Sequence, residues 1–178
     1  MRKLIEVTHV SLGGEIGSPD WAMPYLNDEH QAYASDLLFG ADALVLGRRT
    51  YEGLSAAYTA MDPSPFVDRM NSIPKYVASR SLAAVEWNST LIEGDVAEFV
   101  GNLKQQPGGH LLKYGNGPVD VALMEHHLVD EFHLLLTPVA VGAGRHLFES
   151  ITTAPALHLA DVTVFGNGVV VLKYTPIP

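Results

Sequence analysis

The chain has 178 residues, a formal net charge of −9 and no cysteine. Its length suits one substantial core, and 47% hydrophobic with 17% charged residues is typical of a folded globular protein. The acidic excess argues against nucleic acid as a partner, and the lack of cysteine excludes disulfides and thiol catalysis. No apolar run reaches the roughly 18 residues of a membrane span, and no secretory signal is recognisable. We therefore expect one cytoplasmic domain over residues 1–178, with no membrane contact.

Strand and helix patterns alternate in the first half of the chain. Loose alternation predicts a first strand over residues 4–12. Asn27 is a typical helix cap, and apolar residues recur after it at helical spacing. The short apolar run 43–46 is typical of a strand covered on both faces. A second amphipathic helix follows the arginines, and Pro63 and Pro65 break its pattern.

The second half continues the alternation and closes with a hairpin. Further strands are predicted over 75–78, 90–92, 110–114 and 132–141. Further helices are predicted through Val96 and Leu103, and through Val121, Met124 and Leu128. The last two strand patterns, 156–165 and 169–174, flank a Gly-Asn-Gly turn that is typical of antiparallel pairs. These elements predict an α/β fold with a mostly parallel sheet and a C-terminal antiparallel hairpin.

The turn in "LVLGRRTYEGL" carries residues that suit an anion. Gly47 permits a sharp turn, and Arg48 and Arg49 offer forked donors. Thr50 can cap the following helix or donate its hydroxyl to a phosphate. Solvated arginines in a turn are the simpler alternative.

Two later turns have similar chemistry. Gly115 and Gly117 of "GNGP" allow close approach to the backbone, and Pro118 suits the first position of a helix. Ser79 and Arg80 follow another strand. Glycine-rich turns also occur in proteins that bind nothing, but the carboxyl ends of parallel strands meet at one edge. Together the three turns favour a ligand with several phosphates.

Four segments carry a resemblance to a known family: "VTHVSLGGEIG", "ALVLGRRTYEGL", "YVASRSL" and "LLKYGNGPVDVALMEHHLVDEFHLLLTPVAVGAGRHLF". Over residues 4 to about 148, the chain resembles the dihydrofolate-reductase-like family. Within it, the similar branch is named for the C-terminal reductase domain of the bifunctional riboflavin-biosynthesis deaminase-reductase. The resemblance implies a three-layer α/β/α fold, a homodimer, and NADPH-dependent hydride transfer to a small heterocyclic (pterin- or pyrimidine-like) or carbonyl substrate.

The resemblance also implies roles for the three turns. It puts Arg48, Ser79 and Arg80 near the adenosine 2′-phosphate of NADPH. The pyrophosphate would be held by Arg49, Thr50 and the loop before the next helix. That loop comprises Gly115, Asn116, Gly117 and Pro118.

The substrate side is less regular. Many family members read Ser-Leu-Asp-Gly where this chain has Ser-Leu-Gly-Gly at 11–14, so a carboxylate is missing at Gly13. Folate-reducing relatives place a carboxylate early in the first helix, where Asp28 and Glu29 are the catalytic candidates here. Both residues also suit a helix N-terminus as dipole partners. Trp21 and Tyr25 either form an aromatic wall of the substrate pocket or pack the loop onto the core.

Two further features leave alternatives open. "VGAGRHLF" follows a strand and either closes the substrate pocket or makes a subunit contact. The histidines lack the paired spacing of zinc proteases, so no metal site is expected. Because Gly13 replaces an aspartate, a nucleotide- or flavin-binding protein of the same fold without turnover is the alternative function.

Overall fold

A computed structural model describes residues 1–17 and 19–177, except the side chain of Pro19, and contains one eight-stranded sheet. The strands are β1 (Leu4–Ser11), β2 (Ala41–Gly47), β3 (Lys75–Ala78), β4 (Ser89–Leu91), β5 (His110–Tyr114), β6 (Glu131–Thr137), β7 (Leu157–Val164) and β8 (Val170–Pro176). Their order is β4-β3-β2-β5-β1-β6-β8-β7. The first six in this order are parallel, and β8 is antiparallel to both of its neighbours. The predicted mixed sheet and C-terminal hairpin are confirmed.

Helices cover both faces of the sheet. They are α1 (Asp28–Gly40), α2 (Arg48–Ala60), α3 (Pro65–Ser72), α4 (Val96–Gln105) and α5 (Pro118–Glu125), and a 3-10 helix spans Pro19–Tyr25. Buried Leu38, Tyr51 and Met70 bring α1, α2 and α3 into one core cluster. Val100 and Leu123 bring α4 and α5 into a second cluster on the other face. This is the expected three-layer arrangement.

Helix α3 was not predicted from the sequence, because two prolines were taken as a break. Pro65 occupies the start of the helix, where its missing N–H has no intrahelical partner in any case. The Ser64 side chain caps the helix by accepting the N–H of Val67. Proline here begins a helix instead of preventing one.

Two predicted elements were too long. Strand β6 ends at Thr137 and not at residue 141, because Pro138 has no N–H for the ladder. Helix α5 ends at Glu125, and His127 adopts a φ of 51°, so Leu128 lies beyond the helix. Neither difference affects the carboxyl ends of β2, β3 and β5, which position the candidate site.

Candidate functional site

A cleft of about 760 Å³ lies at the carboxyl ends of β2, β3 and β5. We call it the anion cleft. It is lined by all of the residues predicted to bind the cofactor, namely Gly47, Arg48, Arg49, Thr50, Ser79, Arg80, Gly115, Asn116, Gly117 and Pro118. Parallel strand direction brings these turns together across as many as 70 positions of sequence. The structure therefore forms one groove from segments that the sequence could only suggest separately.

The first wall of the cleft is the start of α2. Its N-cap is Gly47, which has no side chain to satisfy the first N–H groups of the helix. Thr50 is the third residue of α2, so its predicted role as a cap is wrong and its hydroxyl is left at the cleft. Arg48 lies 3.5 Å from Glu52 in an ion pair with both side chains about half exposed. Such an exposed pair is weak and leaves the guanidinium available to a ligand.

The second wall is the loop of residues 115–118. Gly115 has a φ of +74°, and a Cβ there would lie 3.1 Å from Thr50 Oγ1. Two of its N–H groups are used within the protein, since Gly115 donates to Val7 O at 2.9 Å and Gly117 donates to Asp120 Oδ2 at 2.7 Å. A phosphate at this loop would thus depend on other donors, namely the N–H of Asn116 and the groups of the opposite wall.

The turn after β3 completes the predicted set. Ser79 Oγ accepts the N–H groups of Ser81 at 3.2 Å and Leu82 at 3.0 Å, which fixes the turn. Its hydroxyl proton remains able to donate toward the cleft. Arg80 is exposed at the rim.

Arg145 is a further cleft residue that the sequence did not identify as one. It lines the anion cleft, and its NH1 lies 3.5 Å from Asn116 O. The signal was present in "VGAGRHLF", where an arginine follows two glycines after a strand, but the sequence did not indicate which surface it faces. Arg145 brings the arginines at the cleft to four, in a protein of net charge −9.

A cluster of buried charged side chains forms hydrogen bonds to the second wall from the protein interior. Lys113 Nζ lies 2.6 Å from Asp120 Oδ1 and donates to Gly115 O at 2.6 Å. Glu6 accepts Asn116 Nδ2 at 2.9 Å. Burial lowers the pKa of Lys113, but the Asp120 and Glu6 carboxyls outweigh it and the net pKa is raised. The loop is thus tied to the sheet through charged groups that the sequence analysis did not single out.

The predicted substrate residues lie outside the lining of the anion cleft. Trp21 Nε1 donates to Glu15 Oε2 at 2.5 Å. Tyr25 packs against the core on the α1 face, and its carbonyl accepts Asn167 Nδ2 at 2.6 Å. Tyr25 thus packs onto the core and Trp21 is held by a hydrogen bond, and the aromatic wall stays a prediction.

Asp28 and Glu29, the predicted catalytic residues, are exposed in the first turn of α1 and also lie outside that lining. Glu29 Oε2 accepts the N–H of Gly166 at 2.7 Å and Asn27 Nδ2 at 3.1 Å. Gly166 belongs to the turn between β7 and β8. Glu29 therefore links α1 to the hairpin of β7 and β8.

A pair of histidines lies between β1 and α1. His9 Nε2 and His30 Nε2 are 3.2 Å apart, so one ring donates to the other. His9 Nδ1 is buried with no hydrogen-bond partner in the described part of the chain. Burial, and secondarily His30, lower the pKa of His9 to about 4. The pair is therefore neutral at neutral pH.

Residues 1–17 and 19–177 contain no group of three or more histidine, aspartate or glutamate side chains arranged to hold a metal ion. They also contain no helix with the length and apolar character needed to cross a membrane.

Comparison with known proteins gives a consistent family. The family model of the RibD C-terminal domain matches residues 2–171. Two uncharacterized proteins of Bacillus subtilis (strain 168) are similar along nearly their whole length. YyaP is 28% identical over 97% of this chain and 94% of its own, and YwjB is 29% identical over 94% and 95%.

Solved structures share the fold. A putative riboflavin biosynthesis protein from Shewanella sp. PV-4 has a TM-score of 0.76 at 20% identity, covering 99% of both chains. A pyrimidine reductase-like protein from Corynebacterium diphtheriae has a TM-score of 0.68 at 14% identity, covering 99% of this chain and 92% of that one. The diaminohydroxyphosphoribosylaminopyrimidine deaminase/5-amino-6-(5-phosphoribosylamino)uracil reductase of Thermotoga maritima has a TM-score of 0.69 at 12% identity, and the match covers 99% of this chain and 57% of that one.

Proposed function

This chain belongs to the RibD C-terminal domain family, and we propose that it is an NADPH-dependent reductase of a small heterocyclic or carbonyl substrate. Family membership supports a reductase-like role at a coarse level. The observation that carries the finer proposal is the anion cleft, where four arginines gather in an acidic protein. A dinucleotide with three phosphates fits such a local concentration of positive charge.

The residues of the cleft fit the parts of NADPH. The adenosine 2′-phosphate would contact Arg48, Ser79 and Arg80, since guanidinium groups bind phosphate through paired hydrogen bonds. The pyrophosphate would lie beside Thr50 and the loop 115–118, both of which line the cleft. NADPH supplies the hydride when bound, so the protein has to orient substrate, exclude water and provide a proton.

The source of that proton stays a prediction. Asp28 and Glu29 are the acids proposed from the family pattern, and Trp21 and Tyr25 are proposed for the substrate pocket. The pyrimidine reductase-like relative makes a pyrimidine-like heterocycle a reasonable first substrate class to test. A homodimer, which the family resemblance implies, and a cytoplasmic location, which the sequence favours, are further proposals.

A nucleotide- or flavin-binding protein without turnover is the second candidate. The supporting observation is at Gly13, where a Cβ would lie only 1.9 Å from Val141 O. An aspartate therefore cannot replace Gly13 without a shift of the backbone. This loop is built without a carboxylate at the position where many family members have one.

Titration of the purified protein with NADPH and NADH, followed by nicotinamide fluorescence, tests the proposal. We expect micromolar binding of NADPH and weaker binding of NADH. Oxidation of NADPH is then followed with pterins, ribosylaminopyrimidines and quinones. No binding of either cofactor contradicts the reductase, and binding without oxidation of NADPH by any of these compounds favours the second candidate.

A further inference from the structure

Two carboxyl groups and one ammonium group are buried together under the second wall of the anion cleft. Glu6 of β1 and Lys113 of β5 are register partners on neighbouring strands. Asp120 reaches them from the first turn of α5. All three side chains are at most 3% exposed, so their charges interact with little screening by water.

The lysine pairs closely with only one of the two acids. Lys113 Nζ is 2.6 Å from Asp120 Oδ1 but 3.8 Å from Glu6 Oε2, which is beyond hydrogen-bonding distance. Glu6 Oε2 and Asp120 Oδ1 both lack a hydrogen-bond partner among the described residues, but only Asp120 Oδ1 has the ammonium group of Lys113 close by. An ionised carboxylate oxygen without a donor in a buried site is strongly unfavourable.

The charge balance of the cluster explains how this cost is avoided. If both acids were ionised, the cluster would carry one uncompensated negative charge. A proton on Glu6 removes that charge and supplies a donor for a neighbouring carboxylate. Burial raises the pKa of Glu6 well above its ordinary value, Lys113 opposes this, and the charge and hydrogen bond of Asp120 add to it.

Few other charged groups face Glu6 from the surrounding elements. Its partner on β6 is the apolar Phe132, and Thr8 on its own strand is neutral. Arg145 reaches the cluster only through the carbonyl of Asn116, at 3.5 Å. Lys113 and Asp120 therefore dominate the electrostatics of Glu6.

The cluster is connected directly to the ligand-binding loop. Glu6 accepts Asn116 Nδ2, Lys113 donates to Gly115 O, and Asp120 accepts the N–H of Gly117. Each group of the cluster thus holds one residue of the loop. Ionisation of Glu6 would place a second negative charge behind the position of a bound phosphate.

We infer that Glu6 is a positioning residue that keeps its proton at neutral pH, and that loss of this proton weakens the binding of anionic ligands in the anion cleft. The identity of the ligand as NADPH rests on the proposed function, whereas the protonation of Glu6 does not. By linkage, a ligand that binds the protonated form better also raises the affinity of Glu6 for its proton.

Infrared spectroscopy of the full ligand-free chain tests the protonation directly. At neutral pH we expect the carbonyl band of a protonated carboxyl group, which disappears in Glu6→Gln and, in the unsubstituted protein, at alkaline pH. Glu125→Gln, which changes an exposed residue of the same helix as Asp120, is the matched control and should keep the band. A spectrum without a band assignable to Glu6 overturns the inference.

The pH dependence of NADPH affinity tests the coupling. Above about pH 8 the 2′-phosphate is fully ionised and contributes no further change. As rising pH ionises Glu6, we expect the affinity of the unsubstituted protein and of Glu125→Gln to fall roughly tenfold relative to that of Glu6→Gln, by electrostatic repulsion. Glu6→Gln itself should show no alkaline loss of affinity.

The two measurements separate the possible failures. Equal alkaline losses in Glu6→Gln and in the unsubstituted protein overturn the coupling even when the infrared band is present. If NADPH does not bind at any pH, the proposed function is wrong and the coupling to NADPH is wrong with it. In that case the infrared band still decides whether Glu6 is protonated.

Discussion

The anion cleft and the segment of residues 20–30 lie on the same chain but are organised differently. In the cleft, three turns from β2, β3 and β5 present glycines and arginines to a common space. In residues 20–30, polar groups are bound to other groups of the protein, as Trp21 is to Glu15 and Glu29 is to Gly166. The polar groups of the cleft are thus placed to contact a ligand, whereas those of the other segment contact the rest of the protein.

This difference shows what local sequence can specify. Parallel strand direction alone brings the turn residues of the cleft to one edge. The contacts of Tyr25 and Glu29 depend on the hairpin of β7 and β8, more than 130 positions away. Experiments that perturb each region should therefore have different effects on binding and on stability.

The largest expected effect is on the buried cluster of the cleft. Asp120→Ala should lower the free energy of unfolding by about 3 kcal/mol, because removal of one partner leaves a buried charge unpaired. This loss is at the lower end of the range that is usual for breaking a buried ion pair, since Glu6 can release its proton and pair with Lys113. Urea unfolding at neutral pH measures the change.

A matched control is Asp161→Ala. Asp161 pairs with Lys173 at 3.1 Å, but its side chain is 53% exposed, so we expect no measurable loss of stability. Equal losses in the two variants would show that burial of the Lys113 pair has no energetic consequence.

The histidine pair beside α1 predicts an acid sensitivity. The folded pKa of His9 is about 4, below the 6.5 of an unfolded histidine, so the unfolded state binds more protons between these values. Stability should therefore fall as pH falls from 6.5 toward 4, by roughly 3 kcal/mol at most. Urea unfolding of the unsubstituted protein and His9→Gln across this range measures the difference. Parallel curves of unfolding free energy against pH for the two proteins would contradict this role of His9.

Arg48→Ala should change cofactor selectivity. We expect a roughly 10- to 100-fold loss of NADPH affinity and a much smaller loss for NADH, because a charge-assisted contact to the 2′-phosphate is removed. Fluorescence titration with both cofactors measures the ratio. Lys3→Ala removes the same charge from a side chain that is 64% exposed before β1, away from the cleft, and should leave the ratio unchanged. If Arg48→Ala weakened the binding of NADPH and NADH equally, the 2′-phosphate would not contact Arg48.

The smallest effect on binding is expected from the predicted acids. Asp28→Asn and Glu29→Gln should leave NADPH affinity within about twofold, because neither residue lines the cleft. The proposal that one of them supplies a proton requires a lower kcat in that variant, with a changed pH profile. Unchanged turnover in both variants would remove them from the mechanism.

The fold and the anion cleft were predictable because their signals are local. Gly47, Pro118 and the arginines lie within single turns, and hydrophobic periodicity located most strands and helices. Helix α3 was missed because Pro65 was considered only as a breaker. The prediction of a single domain over residues 1–178 includes Pro178, which lies outside the described residues.

The remaining features depend on contacts that are distant in sequence. Glu6 and Lys113 become neighbours only through strand register, 107 positions apart, and nothing around either residue indicates that it is buried. Arg145 likewise reaches the cleft through a loop whose path is set by the whole sheet. The hydrogen bond of Glu29 to Gly166 spans 137 positions and could not be deduced from the sequence around Glu29.

A crystal structure of the protein with NADPH tests the central claim most directly. We predict a 2′-phosphate within hydrogen-bonding distance of Arg48, Ser79 or Arg80, and a pyrophosphate beside Thr50 and the loop 115–118. NADPH bound elsewhere on the molecule, or an empty cleft at concentrations that saturate the protein in solution, would contradict the account.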